Sequence, residues 1–450
     1  VADVPIGHIT NGVHAESWIA AEIIALYDQY LGEDWTLRQT ERTTWEAIDS
    51  IPSEELWQIH KKLKARLIDH ARKNLEEQRR RAKDSPERIA EAQTLLNPEA
   101  LTIGFARRFA TYKRANLLFH DLPRLSRILN QSGRPVQILF AGKAHPADIP
   151  GQDLIREIYR VSQVDEFKGK IVMLENYDIN LARYLVQGVD VWLNNPLRPL
   201  EASGTSGEKA ALNGVINFSV LDGWWEEGYD GTNGWSIESS PDSDWQTQEN
   251  ENAESLYTKL EQEIIPLYYR QETYPEPWTA VMKRSIKTLS PEYNTHRMVQ
   301  NYTDQFYAPT MSRYRKFQAD GNHAAHTLAE FKLFILKNWG EVGSAIARDD
   351  LTLPASTGFK EVKVDIHLGQ IAMKDVAAEI VYYADNKEGI WEPVHVPLIP
   401  EKDIDGGFSR FHTQIPSHLT HLKHYSVRVR PYHPLFNHHS EMSHNYTSVL

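Results

Sequence analysis

The densest chemistry in the sequence lies between Glu201 and Gly214, in the run Glu-Ala-Ser-Gly-Thr-Ser-Gly-Glu-Lys-Ala-Ala-Leu-Asn-Gly. It joins a carboxylate, a turn of small residues rich in hydroxyls, and a lysine about one turn inside a predicted helix. Gly204 and Gly207 permit backbone conformations in which successive N–H groups point at an anion, and Ser203, Thr205 and Ser206 add hydroxyl donors. The glycine spacing and the missing Gly-Lys-Ser/Thr exclude a Walker phosphate loop. Lys209, desolvated in a pocket, is able to lose its proton and condense with a carbonyl. Residue types alone leave a structural lysine as the simpler reading.

A second group follows the apolar run Leu101–Phe105: Arg107, Arg108, Tyr112 and Lys113. Their convergence at a strand-to-helix turn would hold a phosphate through charge-assisted hydrogen bonds, aided by a helix N-terminus. Paired surface cations explain the same pattern equally well. Gly142-Lys143-Ala144-His145-Pro146 is a weaker signal after the run ending at Ala141. Asn11-Gly12 marks a tight, outward-facing bend between His8 and His14, both read as surface histidines.

These groups need a scaffold that delivers them to one place. From Leu101 to Leu193 short apolar runs alternate with amphipathic helices: Leu101–Phe105, helix 113–129, Val136–Ala141, helix 154–161, Ile171–Leu174, helix 179–186 and Val189–Leu193. This is the pattern of βαβ units and a parallel sheet, whose ligands bind beyond the carboxyl ends of the strands. Upstream, 54–92 reads as one long helix with a mixed-charge solvated face. Leu221-Asp222-Gly223-Trp224-Trp225 is either a cleft-mouth loop or a packed tryptophan cluster. Helices are expected near 250–271, 276–288 and 293–307, and a helical segment from 308 to 349. Beyond Leu353 the period-two runs 362–366, 379–383, 394–398, 408–415 and 425–429 predict a small antiparallel β-sandwich. The resulting division is 1–320, a helical linker 321–355, and a β-sandwich tail 356–450.

The whole chain narrows the function classes. Its 450 residues, 41% apolar and 24% charged, suit two or three globular domains. No apolar run is long enough for a membrane span. A net charge of −12 disfavours nucleic acid as a partner. The absence of cysteine excludes disulfides, thiolate metal sites and cysteine nucleophiles. Twelve tryptophans and twenty tyrosines offer faces for sugars, although core packing accounts for most of them. The scattered histidines from His412 to His444 show no metal-ligand spacing.

Residues 201–214, Arg-Arg-Phe-Ala-Thr-Tyr-Lys-Arg at 107–114, Leu-Glu-Asn-Tyr at 174–177 and Thr-Asn-Gly at 10–12 together resemble the α-glucan phosphorylases that act on glycogen, starch or maltodextrin, in their compact bacterial form. The likeness is to the carboxyl-terminal catalytic part. It implies an α/β fold, the Rossmann-like second domain of a two-domain GT-B glycosyltransferase, with pyridoxal 5'-phosphate as cofactor. It implies Lys209 as the Schiff-base lysine, with Arg107, Thr205, Ser206 and Tyr177 around the cofactor. Arg108 and Lys113 would hold the substrate phosphate. Asn11, Tyr112, Glu201, Ala202, Ser203 and Gly204 would bind the transferred glucose. The implied reaction converts an α-1,4-glucan or maltodextrin and inorganic phosphate into glucose 1-phosphate and a shortened glucan, with retained configuration and without metal. A cytoplasmic location and a homo-oligomer are compatible with this resemblance.

Ser206-Gly207-Glu208 departs from the Gly-Asn-Met of the muscle-type motif. The chain is expected to be the later part of a longer protein, to lack the family's glycine-rich loop, and to be weakly active or inactive alone. Two alternatives share the pattern. A nucleotide-sugar glycosyltransferase would carry glutamates eight positions apart, but position 209 is lysine. A carbohydrate-binding remnant would keep the fold without catalysis.

Overall fold

The computed structural model describes residues 6–240, 243–270, 274–348, 359–385, 391–416 and 426–449. His8–Gln305 forms one compact unit, and the chain from Phe306 onward forms another.

The first unit is built on six parallel strands: β1 (Leu101–Ala106), β2 (Val136–Ala141), β3 (Ile171–Leu174), β4 (Val191–Asn194), β5 (Ile216–Val220) and β6 (Gly234–Ile237). They lie in the order β3-β2-β1-β4-β5-β6, so the winding direction reverses between β1 and β4. Every residue of the six strands is buried, as a parallel sheet covered on both faces requires. Alternation divides them between two apolar layers. Ile138 and Phe140 of β2 join Phe105 and Phe218 on one face, while Leu139 and Ala141 join Leu174 and Trp192 on the other.

The helices used below are α1 (Ser53–Arg81), α2 (Leu122–Leu129), α3 (Ile149–Ser162), α4 (Ile179–Gly188), α5 (Ser206–Ala211), α6 (Thr295–Tyr302) and α7 (Ala308–Asn338). Three expectations change. The single helix over 54–92 is two: α1 ends at Arg81, Lys83 adopts a φ of +58°, and Pro86 opens a short helix whose first turn is capped by Ser85. A pre-proline residue resists helical geometry, which accounts for the restart. The helix over 113–129 begins only at α2, with Asp121 accepting from Arg124 N at 2.9 Å. Arg114, at φ +44°, ends a short turn over Thr111–Lys113 instead. No regular helix therefore points its N-terminus at the Arg107–Lys113 cluster from this segment. Asn11-Gly12 is not an outward bend. Val13 pairs with the chain at Tyr293 and Thr295 (3.0 Å each), and a Cβ on Gly12 would stand 2.2 Å from Asn294 O. Glycine is required there by close backbone approach.

In the second unit α7 is interrupted at Ala319–Asn322, where Asp320, Gly321 and Asn322 have positive φ. Seven antiparallel strands follow among the described residues: β7 (Gly343–Arg348), β8 (Phe359–His367), β9 (Val376–Asp385), β10 (Trp391–Ile404), β11 (Phe408–Pro416), β12 (Ser426–Pro431) and β13 (Tyr446–Val449). Of the expected linker 321–355, Gly321 and Asn322 belong to the interruption, residues 323–338 are helical, 343–348 form β7, and 349–355 lie outside the described residues. The tail is small and antiparallel, and its strands join in one sheet, β13-β12-β9-β10-β11-β8-β7. The long β10 makes this continuity: Trp391–Leu398 pairs with β9 and Ile399–Ile404 with β11, the latter ladder shifting register between Pro400 and Lys402. Inward residues such as Val364, Ile366, Ile380, Val427 and Val429 form its core. Among the described residues no histidine or carboxylate group is arranged to hold a metal, and no helix is long and apolar enough to cross a membrane.

Candidate active site

The site is assembled from the carboxyl ends of β1 and β4, the two strands at the reversal, where loops diverge and leave a crevice. β1 delivers Arg107. Its N–H donates to Ala141 O (3.2 Å), and Gly142 lies against it so closely that a Cβ there would stand 2.0 Å from Arg107 O. β4 runs through Asn195 into the loop carrying Glu201. Arg114 anchors this loop: it is buried, donates to Asn195 O (2.9 Å) and Pro196 O (2.8 Å), and receives Asn195 Nδ2 on its own carbonyl (2.7 Å). Leu197 N–H donates to Tyr112 O at 2.7 Å. The two strand exits are thus laced together by backbone contacts.

Glu201 is shared between two cations. Its Oε2 lies 2.5 Å from Arg107 Nη2 and 3.4 Å from Lys113 Nζ. Burial, reinforced by the charges of Arg107 and Arg108, pushes the Lys113 amine below its ordinary value, against the pull of Glu201. Arg107 leaves Nε and Nη1 buried without a hydrogen-bond partner. Unsatisfied guanidinium donors of this kind are costly and point to an anion that supplies the missing acceptors. Arg108 is exposed beside them, and Tyr112 lies under the Lys113 amine, 5.3 Å from ring centre to Nζ.

Asn11, Glu201, Ala202 and Ser203 line one cleft of about 350 Å³, together with Thr10, Asp222, Gly223 and Glu227. Asp222 was not singled out as a site residue in the sequence. It accepts from Glu201 N (2.9 Å) and Gly223 N (3.0 Å) and so sets the course of the loop. The strand-exit rule would have found it, because it follows β5. Gly223 has φ +58°, and a Cβ would stand 2.3 Å from Ser203 O, which accepts from Trp224 N at 2.9 Å. The Gly/Trp-rich loop is therefore both things the sequence allowed. Trp224 and Trp225 pack in a buried cluster with Tyr293, while its polar residues face the cleft. His8 and Thr10 both reach Glu227, at 3.3 Å and 2.6 Å.

The remaining residues stand on α5. Thr205 precedes it with its hydroxyl unused as a cap, and Ser206 accepts from Trp192 Nε1 at 3.0 Å. Gly207 is packed so that a Cβ would be 2.3 Å from Asn217 Oδ1. Lys209 lies 3.9 Å above the Trp18 ring centre, and burial lowers its pKa against the opposing charge of Glu208. Tyr177 is half-buried and packs, with Trp18, on the core layer that includes Ala210. Trp18 and Glu208 were missed as site neighbours, since an apolar-face tryptophan and a helix glutamate carry no sequence signal of their own. Glu208 is 1% exposed, and burial pushes its carboxyl well up. Lys143 and His145 are exposed.

Comparison with known proteins accords with this geometry. Residues 5–225 match the carbohydrate phosphorylase family, and residues 348–445 match the glycogen phosphorylase C-terminal domain. The chain is 42% identical to a maltodextrin phosphorylase of Thermococcus litoralis over 97% of its own length and 51% of that protein. It is 46% identical to a glycogen phosphorylase of Aquifex aeolicus over 68% of its length and 44% of the relative. With a glycogen phosphorylase of Mycobacterium bovis the identity is 36%, over 96% of this chain and 50% of the relative. The chain spans about half the length of these curated relatives. With two parts of its length matched in order and these identities across nearly all of it, the chain belongs to the carbohydrate phosphorylase family.

Proposed function

We propose that this chain forms the cofactor- and phosphate-binding part of an α-1,4-glucan phosphorylase, acting as the Rossmann-like second domain of a GT-B architecture in the cytoplasm. The observation that carries this reading is the cluster at the β1–β4 reversal. Arg107 and Lys113 share the carboxylate of Glu201, and the charge of Arg108 reaches Lys113, so three cations gather at one strand exit, a concentration of positive charge suited to two phosphates held side by side.

The residues fit pyridoxal phosphate. Arg107 has buried donors awaiting acceptors, the Thr205 hydroxyl is not spent on capping α5, and Lys209 presents an amine whose proton is weakened by burial. Tyr177 and Ser206 complete the set that would hold it. When bound, that cofactor supplies a phosphate monoester with a second ionisation near neutral pH, able to exchange a proton with inorganic phosphate.

The chain's own groups do the rest. Arg108 and Lys113 bind inorganic phosphate and screen its repulsion from a second phosphate. Asn11, Tyr112, Glu201 and the backbone of Ala202, Ser203 and Gly204 fix the hydroxyls of the terminal glucose, so that phosphate meets the anomeric carbon in one orientation. The products are glucose 1-phosphate and a glucan one residue shorter.

The test is to incubate the protein with pyridoxal phosphate, reduce it with borohydride and map the label by mass spectrometry. A pyridoxyl mass on the peptide containing Lys209, absent in Lys209→Ala, is expected. Labelling spread over surface lysines, or unchanged in the variant, would defeat the reading.

A further inference from the structure

A second cavity, of about 200 Å³, runs along the outer edge of β3, two strands away from β1. Ile138 stands opposite Ile171 in the β2–β3 ladder, and its N–H donates to Lys170 O (2.7 Å). The alternation of the ladder then turns the peptide groups of Ile171, Met173 and Glu175 away from β2. An edge of this kind offers unpaired N–H and C=O groups.

The protein itself meets the N–H at one of the three positions and both groups at another. Ile171 N–H donates to Phe167 O at 3.0 Å. Both groups of Glu175 are met by one side-chain amide: Asn74 Oδ1 accepts from Glu175 N (3.2 Å), and Asn74 Nδ2 donates to Glu175 O (3.0 Å). Asn74 thus stands in for a neighbouring strand. Met173, between them, lines the cavity, and no partner beyond the ladder closes its peptide group among the described residues. Gln78, one turn beyond Asn74 on α1, lines the same cavity, and its Oε1 is buried with no hydrogen-bond partner. Leu75 and Leu95 supply apolar walls. The nearby cations are already engaged: Arg79 and Lys168 each lie 3.1 Å from Glu91, so nothing here calls for an anion.

We propose that this cavity binds a small aromatic primary carboxamide. Its carbonyl accepts from Met173 N–H and one of its N–H groups donates to Met173 O, as Asn74 does at Glu175. The second N–H meets Gln78 Oε1, and the ring packs on Leu75 and Leu95. The volume suits a single ring, since a cavity of about 150 Å³ holds benzene. The site stands apart from the phosphorylase chemistry, and its test does not depend on activity.

Benzamide is the probe, titrated against the intact protein and followed by ligand-observed saturation-transfer NMR. Saturable binding is expected, with benzoate and N,N-dimethylbenzamide at least about tenfold weaker because each lacks the donors. Gln78→Leu should weaken benzamide about fivefold, the worth of one hydrogen bond in water. Ala82→Trp, which fills the cavity from its exposed rim, should abolish it. The proposal is overturned by no saturable benzamide binding, by equal binding of N,N-dimethylbenzamide, or by affinity unchanged in Gln78→Leu.

Discussion

Replacing Asp190 by asparagine should be among the most damaging single changes in the first unit. Asp190 directly precedes β4 and is wholly buried. Its Oδ2 accepts from Lys64 Nζ (2.5 Å) and from Thr102 N (2.7 Å), and its Oδ1 lies 2.8 Å from His60 Nε2. Lys64, also buried, has one further partner, Tyr268 Oη at 2.7 Å. The cluster ties α1 to the starts of β1 and β4, the two strands whose far ends carry Arg107 and Glu201. The amide of Asp190→Asn would keep an acceptor for Thr102 but leave the Lys64 ammonium in the interior without its counter-charge. Breaking a buried pair in this way costs about 3–5 kcal/mol, roughly 5–15 °C in the unfolding midpoint of a unit this size. The assay is urea unfolding followed by tryptophan fluorescence, which reports this unit through the buried Trp35, Trp45, Trp192, Trp225 and Trp278. Adding Lys64→Met to Asp190→Asn should recover most of the loss, because the orphaned charge is then gone. The pH dependence has a definite sign. Burial alone would raise the Asp190 carboxyl, but Lys64 and His60 outweigh it and hold the group below its ordinary value. Its contribution is therefore present above the unfolded pKa of about 4 and lost as pH falls through the lower folded value. The deficit of the variant should shrink in acid. A loss under about 1 kcal/mol, or a double variant no more stable than Asp190→Asn, would refute the reasoning.

Two further outcomes follow from the site. Gly223→Ala forces a side chain onto Ser203 O at a φ of +58° and should cost about 1–3 kcal/mol, read by urea unfolding, and under the proposed function should weaken glucose 1-phosphate binding by calorimetry; a neutral result would show that the loop has no need of this turn. Glu201→Gln removes the carboxylate that raises the Lys113 amine, so an NMR titration of the Lys113 ε-carbon should show its pKa falling further, and a rise would contradict the placement of Glu201 beside it.

Much of the first unit was legible because parallel strands leave long apolar runs that helices must cover. All four strands expected between Leu101 and Leu193 are present, β4 starting at Val191, and the strand-exit rule located Arg107 and Glu201. What failed was local. The helix over 113–129 was read through a segment where Arg114 turns left-handed, because its side chain is committed to the carbonyls of the β4 loop, a tertiary demand with no periodic trace. Asn11-Gly12 was read as a turn because that dipeptide usually is one; here the glycine serves a backbone docked on Asn294. Both errors fall where distant segments meet.

Residue order by itself determined the parallel sheet, the antiparallel tail and the family motifs, since hydrophobic period and strand-exit chemistry are written along the chain. Only the tertiary structure decided how charges are shared. That Glu201 bridges Arg107 and Lys113, that Lys209 rests on Trp18, and that Asp190 anchors the two strands behind them depend on contacts across 88 to 191 positions of chain. The physical reason is that ionic balance and desolvation belong to a place in space, and the sequence specifies that place only through the fold.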